Sequence, residues 1–367
     1  MGSSLVFLAV GLLIFLAFAN GGNDVSKAIA TLAGARLTSV HNAVLWGTGW
    51  TVAGALSGLF WGQALVNNIS QNIYTGPHDF YLPLALAPGL AATLWVSLAT
   101  WRNVPVSTTH AVIGGMVGTG LVAFGPDGIA WHALWSNIAL PLLASPIMAI
   151  ALAFVLTPFL EKLAHAVAGT QVCTTQVPKL VYARVNGSEN IVGDCLVCAT
   201  DSLQAQLTSG FTLNVDHLHW LTSGLLSFAR GLNDTPKLIA IVLPFLLLDT
   251  YMPPYWMYVW AALAMGAGSY MAGRRITEVL GFKVTEMNHA QGFAANFVST
   301  FLVISASRLG LPVSTTQVSA SSIMGLGLVN GCGLNMKTVM AMLFAWLVTV
   351  PAAALFGALF YRVSGAL

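Results

Sequence analysis

The chain contains 367 residues, of which 56% are hydrophobic and only 7% are charged, and its formal net charge is +2. Soluble domains carry roughly 25% charged residues, so this chain cannot supply the polar surface of a water-soluble globule. The composition also excludes a disordered chain and, because it has no basic surplus, a nucleic-acid-binding protein. It indicates an integral protein of the lipid bilayer.

Ten mostly apolar segments are long enough to act as membrane segments, which need about 20 residues. The first five cover residues 4–34, 41–65, 82–101, 105–123 and 132–158. The second five cover residues 218–248, 255–273, 286–308, 312–330 and 336–361. We therefore predict an N-terminal membrane repeat at 1–158, a connecting loop at 159–217 and a C-terminal membrane repeat at 218–367.

The cysteines do not predict a metal or redox site. Cys195-x-x-Cys198 has suitable spacing, but the sequence contains no second Cys or His pair that would complete a zinc set. We predict no metal and no resident cofactor.

The two groups of segments are copies of one unit. Residues 17–32 (AFANGGNDVSKAIATL) and 227–242 (SFARGLNDTPKLIAIV) are identical at eight of sixteen positions. The sequence Pro-Val-Ser-Thr-Thr occurs at 105–109 and again at 312–316. It starts 82 residues after Asn23 in the first copy and 79 residues after Asn233 in the second. Two polar motifs in the same order and at nearly the same spacing indicate a duplication.

An odd number of segments per copy places the second copy upside down relative to the first. Inverted repeats of this kind are common in secondary transporters, whose binding sites lie between the copies near the bilayer midplane. With the N-terminus outside, nine Lys and Arg residues fall on the inner side and two on the outer side. The positive-inside rule then places both termini outside and the central loop in the cytoplasm. The predicted fold is an all-α polytopic membrane protein of two inverted repeats with discontinuous or re-entrant helices.

The Asn-Asp motif of each copy places charged groups inside an apolar segment, where each one costs about 2.5–3.5 kcal/mol on insertion scales. In the simplest interpretation, Asp24 pairs with Lys27 and Asp234 pairs with Lys237, each one helical turn apart. A functional interpretation uses the nearby glycines and Pro236, which would interrupt the helix and expose backbone oxygens to a cavity. The carboxylates and asparagines would then bind a cation such as Na⁺ or carry a proton. We predict a cation-coupling set formed by Asn23, Asp24, Asn233 and Asp234.

The Pro-Val-Ser-Thr-Thr motif is suited to an oxyanion. Proline favours the first turn of a helix, where free N–H groups and the positive dipole end gather. Hydroxyls added there would complete a site for a tetrahedral anion, although Ser and Thr can also simply cap a helix. The predicted substrate-binding residues combine these hydroxyls with the motif asparagines and lysines: Asn23, Lys27, Ser107, Thr108, Thr109, Asn233, Lys237, Ser314, Thr315 and Thr316.

Charge counting supports coupling to a cation. Two Asp and two Lys sum to zero, so a divalent anion would bring uncompensated charge unless Na⁺ or H⁺ enters with it. His110 and His289 are further candidates for handling a proton. Arg230 stands at the position of Asn20 in the other copy and would either steer the anion or anchor the cytoplasmic loop.

At these motifs the chain resembles the inorganic phosphate transporter (PiT) family, whose signature is a repeated G-A-N-D-V-A-N-like segment followed by P-V-S-T-T-H. The resemblance covers nearly all of the chain outside 159–217. It implies a homodimeric inverted-repeat symporter of the cytoplasmic membrane that carries inorganic phosphate with Na⁺ or H⁺.

The sequence departs from the family pattern at Lys27 and Lys237, which replace the second Asn of each motif. Fixed lysines would stand in for bound Na⁺ and favour coupling to H⁺. The departures also leave room for a sulfate permease of the same fold. A membrane-embedded enzyme is a more distant alternative, because the chain contains neither H-E-x-x-H nor G-x-S-x-G and its polar groups are duplicated.

Overall fold

The computed structural model describes residues 3–71, 73–75, 82–167, 176–185, 188–198, 214–243, 253–329 and 333–365. The first repeat contains the helices α1 (Ser3–Asp24), α2 (Ser26–Gly34), α3 (Val40–Trp61), α4 (Gln63–Gln71), α5 (Leu82–Trp101), α6 (Thr108–Phe124), α7 (Trp131–Ala133) and α8 (Leu140–Val167). A π-helical stretch, Leu134–Ala139, joins the last two. The second repeat contains α9 (Val215–Val242), α10 (Tyr255–Ala272), α11 (Arg274–Phe282), α12 (His289–Arg308), α13 (Thr315–Val329) and α14 (Met336–Gly365).

The segment between the repeats differs from the predicted loop. Helix α8 continues past residue 158 to Val167, and two antiparallel strands follow, β1 (Gln176–Val185) and β2 (Ser188–Cys198). Cys195 and Cys198 belong to β2, whereas Cys173 and Cys332 lie outside the described residues. The division into two repeats and a connecting segment stays a prediction.

Discontinuous helices are present, and one of them breaks beside the Asn-Asp motif of the first repeat but none at that of the second. Helix α9 runs through Gly231 and Pro236 without a break, and in the first repeat only Val25 separates α1 from α2. The other breaks occur at Gly62, between α3 and α4, and at Gly273, between α10 and α11. The prediction that the motif glycines interrupt the helix is therefore wrong for the second repeat.

The two repeats are interlocked through exchanged partners. Helix α1 packs against α10, and its counterpart α9 packs against α3, the counterpart of α10. In the same way α6 packs against α14, and α13 packs against α8. Reciprocal exchange of this kind is expected for repeats related by a two-fold axis, as in an inverted-repeat transporter. The predicted fold class is confirmed.

Glycines allow the helices of the two repeats to approach one another closely. A Cβ atom at Gly21 would overlap the carbonyl of Met265, and one at Gly231 would overlap the carbonyl of Thr51. In the same way, a Cβ atom at Gly54 would overlap the carbonyl of Phe228, and one at Gly268 would overlap the carbonyl of Phe18. Association of membrane helices relies on such close backbone approach, because burial against lipid provides little driving force. The motif glycines therefore serve helix packing.

The outer surface of the molecule is apolar. Large hydrophobic side chains on α1, α8 and α14 are mostly exposed, including Phe7, Phe15, Ile147, Leu347 and Leu355. Within the described part of the chain, five helical stretches are long and apolar enough to cross a bilayer: Phe7–Gly34, Val40–Trp61, Trp131–Ala164, His289–Arg308 and Met336–Ser364. An apolar exterior on several such helices identifies a multi-pass membrane protein.

Two glycines of α3 allow a matched test of this packing. Gly54→Ala places a methyl group against the Phe228 carbonyl, whereas a Cβ at Gly49 meets nothing within 4 Å. We expect Gly54→Ala to destabilise the protein by about 1–3 kcal/mol through overpacking. Gly49→Ala should be neutral or slightly stabilising, because alanine is the better helix former. Thermal unfolding of both variants in detergent measures the difference, and equal melting temperatures would contradict the packing role.

Candidate functional site

The two Asn-Asp motifs meet at one side chain, Asn20. Its Nδ2 atom lies 3.1 Å from Oδ2 of Asp24 and 3.4 Å from Oδ2 of Asp234. All three residues are buried, with at most 2% of their surface exposed. The structure thus brings together carboxylates that are 210 positions apart in the sequence and belong to different repeats.

Each carboxylate also has a lysine one helical turn away. Lys27 Nζ contacts Asp24 Oδ1 directly, and Lys237 Nζ lies 3.3 Å from Asp234 Oδ1. The two ammonium groups donate further hydrogen bonds to backbone carbonyls, Lys27 to Val106 (3.2 Å) and Lys237 to Val313 (2.7 Å). The pairing predicted as the simplest interpretation is present in both repeats and connects each Asn-Asp motif to its own Pro-Val-Ser-Thr-Thr segment.

The two Pro-Val-Ser-Thr-Thr segments are also connected to each other. The Thr109 hydroxyl donates to the Val313 carbonyl (3.3 Å), and the Thr316 hydroxyl donates to the Val106 carbonyl (2.7 Å). Each of these valine carbonyls therefore accepts from the lysine of its own repeat and from the threonine of the other. Thr109 in addition accepts a hydrogen bond of 2.8 Å from Lys237. The polar groups of both repeats form one buried network.

The serines of these segments act as helix caps. Ser107 Oγ accepts from the backbone N–H of His110, and Ser314 Oγ accepts from that of Gln317, both at 3.2 Å. Helices α6 and α13 begin after these serines, so both prolines lie in the extended stretch before the helix and not in its first turn. The capping alternative thus describes both serines. The Thr108 hydroxyl, in contrast, is buried without a hydrogen-bond partner.

The motif asparagines hold the chain that leads into α6 and α13. Asn23 accepts from the Val106 N–H (3.2 Å) and donates to the Val104 carbonyl (3.2 Å). Asn233 donates to the Val313 carbonyl (3.3 Å) and accepts from the Ser307 hydroxyl (3.1 Å). The asparagines therefore hold the backbone of the segments that lead to Thr108 and Thr315.

A small internal space lies inside this network. It is too narrow to hold a water molecule. The lining residues come from α1, α6 and α9: Asn20, Thr108, Thr109, Val112, Asp234, Lys237 and Leu238. An anion would have to separate these side chains in order to enter.

Sequence reasoning did not assign a role to Asn20, although its spacing gave a signal. Asn20, Asp24 and Lys27 follow the helical spacing i, i+4, i+7, which places them on one face of the helix. The hydroxyls of Thr51 and Ser269, which contact Arg230, carried no signal, because single hydroxyls are common in apolar helices. Of the two candidate histidines, His110 is buried beside Ser107 (2.7 Å), whereas His289 pairs with Asp216 and with none of the motif residues.

Comparison with known proteins identifies the family. The profile of the phosphate transporter family matches residues 20–357. The chain belongs to this family. A protein of Thermococcus kodakarensis named as a phosphate permease is 29% identical over 401 aligned residues, which cover 95% of each chain. A protein of Rhizobium meliloti named as a low-affinity inorganic phosphate transporter is 28% identical and is covered to 98%.

The fold is shared with a solved structure. The chain superimposes with a TM-score of 0.78 on a protein described as a sodium-dependent phosphate transporter. The two sequences are 23% identical, and the superposition covers 99% of this chain and 100% of the other. The family consists of phosphate transporters, so this protein is a transporter and not an enzyme. Within the described residues, no group of three His, Cys, Asp or Glu side chains is placed to hold a metal ion.

Removing one lysine tests the electrostatics of the network. Lys237→Gln leaves Asp234 buried without its cation, which should cost about 3–5 kcal/mol of stability. The double variant Asp234→Asn/Lys237→Gln should lose less stability than the sum of the two single variants, because each single variant leaves one buried charge without its partner and the double variant leaves none. Unfolding temperatures of the four proteins in detergent give the coupling energy.

The exposed pair Arg274–Glu278, at 3.6 Å, provides the control. The same cycle there should yield less than about 1 kcal/mol, as exposed ion pairs usually do. Equal coupling at the two pairs would show that burial adds nothing at the site.

Proposed function

We propose that this transporter imports inorganic phosphate by symport with H⁺ or Na⁺ across the cytoplasmic membrane. The observation that carries the proposal is the buried polar space at which the two repeats meet, lined by Asn20, Thr108 and Thr109 of the first repeat and by Asp234 and Lys237 of the second. Transporters with inverted repeats bind their substrates between the copies. The names of the relatives support phosphate as the substrate.

The start of α6 provides the donors that a tetrahedral oxyanion needs. Thr108 and Thr109 are the first residues of α6, where backbone N–H groups lack partners within the helix. The Thr108 hydroxyl is unused, and Lys237 already approaches Thr109. A phosphate placed there would receive hydroxyl, ammonium and backbone donors together. We assign the anion to Thr108, Thr109 and Lys237, and by repeat symmetry to Thr315, Thr316 and Lys27.

The carboxylates are assigned to coupling. Asp24 and Asp234 share the Asn20 amide, so a proton or cation bound by one of them changes the electrostatic environment of the other. Asn23 and Asn233 support this unit by holding the valine carbonyls in place. We further propose that both termini lie outside the cell and that the central loop lies in the cytoplasm. We also propose that the protein assembles into a homodimer.

Uptake into proteoliposomes tests the function. We expect purified protein to concentrate labelled phosphate when an inward H⁺ or Na⁺ gradient is imposed, and each gradient should be applied separately. Asp24→Asn and Asp234→Asn should each abolish accumulation, because they remove a titratable, charge-bearing group, whereas the exposed Glu278→Gln should transport normally. Block of uptake by excess sulfate, without accumulation of phosphate, would replace phosphate by sulfate as the substrate.

Substitutions at Thr108 and Ser107 test anion binding and protein stability separately. Thr108→Val removes a buried hydroxyl that has no partner, so stability should be unchanged while the phosphate concentration for half-maximal uptake rises about tenfold. Ser107→Ala removes the cap of α6 and should cost about 1 kcal/mol of stability. Unchanged half-saturation in Thr108→Val would place the anion elsewhere.

A further inference from the structure

Arg230 is a buried cation outside the proposed anion and coupling sites. It is 1% exposed and lies on α9, four residues before Asp234 and seven before Lys237, so the three side chains share one face of the helix. Its Nη2 atom donates to the hydroxyls of Thr51 and Ser269. Arg230 therefore lies on the same face of α9 as Asp234 and Lys237.

The guanidinium group has no carboxylate of its own. Within the described ranges, no Asp or Glu oxygen lies within 4.0 Å of it, and its Nε and Nη1 atoms have no hydrogen-bond partner. It interacts electrostatically over a longer distance with both Asp24 and Asp234. An arginine side chain stays protonated even when it is buried, so this charge is permanent.

The two lysine ammonium groups also occupy places suited to a metal cation. Lys237 Nζ is surrounded by a carboxylate, a backbone carbonyl and a threonine hydroxyl, and Lys27 Nζ by a carboxylate and a carbonyl. Oxygen ligands of these kinds are those that hard cations prefer. The chain thus places its own ammonium groups at oxygen-lined positions of a kind that would also suit a free cation.

We propose that Arg230 is a third fixed cation of the phosphate site and that it makes transport independent of Na⁺. With all groups ionised, Arg230, Lys27 and Lys237 against Asp24 and Asp234 leave a net charge of +1. Monoanionic phosphate makes that site neutral, and dianionic phosphate does so when one carboxylate carries a proton. This inference rests on the proposed function and specifies the form of the substrate and the coupling ion.

Substitution of Arg230 tests whether the net charge of the site determines the affinity for phosphate and the response to Na⁺. Arg230→Gln lowers the net charge to zero, so in Na⁺-free choline medium the phosphate concentration for half-maximal uptake should rise about tenfold or more. Addition of Na⁺ should lower it again, because an external cation then restores the lost charge. Arg230→Lys retains the charge and should remain independent of Na⁺, and the exposed Arg274→Gln is the matched control.

The outcomes separate this inference from the proposed function. Wild-type uptake that proceeds in Na⁺-free medium, together with Na⁺-responsive Arg230→Gln, supports it. A strict Na⁺ requirement in the wild type overturns it and leaves phosphate transport intact. Equal loss of uptake in Arg230→Gln and Arg230→Lys, with native melting temperatures and no response to Na⁺, also overturns it, because the charge would then not be the property that matters. Absence of phosphate uptake under every gradient rejects the proposed function itself.

Discussion

The structure depends on the shared contact of two buried carboxylates with one amide. Asp24 and Asp234 come from different repeats, yet both accept from Asn20. Burying two negative charges side by side inside a membrane protein is costly unless cations and donors surround them. Lys27 and Lys237 provide those cations from the same helices, so each repeat brings a carboxylate together with its counter-charge.

The helix packing places these charges together. Gly21 and Gly268 let α1 and α10 touch backbone to backbone, and Gly54 and Gly231 do the same for α3 and α9. Each of these contacts joins a helix of one repeat to a helix of the other. The threonines then connect the starts of α6 and α13 across the same axis, through Thr109 to Val313 and Thr316 to Val106. The Val106 and Val313 carbonyls therefore each accept at least two hydrogen bonds.

The repeats are not equivalent at the site itself. Asn20 and Arg230 occupy corresponding positions, but one is neutral and bridges the carboxylates while the other is charged and lies between Thr51 and Ser269. This difference converts a balanced set of four charges into a set with a positive surplus. A surplus of this kind favours an anion, which is consistent with membership of the phosphate transporter family.

The sequence by itself determined the fold class, the duplication and the lysine–aspartate pairs, because hydropathy, repetition and one-turn spacing are local properties of a chain. It misjudged the motif glycines, since glycine serves both to break a helix and to let two helices touch, and only the neighbour of Gly231 decides between these uses. It also left open whether Ser107 binds an anion or caps α6. The bridge at Asn20, the exchange between the threonines and valine carbonyls, and the placement of Arg230 were decided by tertiary structure alone. Each of these joins atoms that are distant in the chain, and their meeting follows from the way the helices of the two repeats pack against one another.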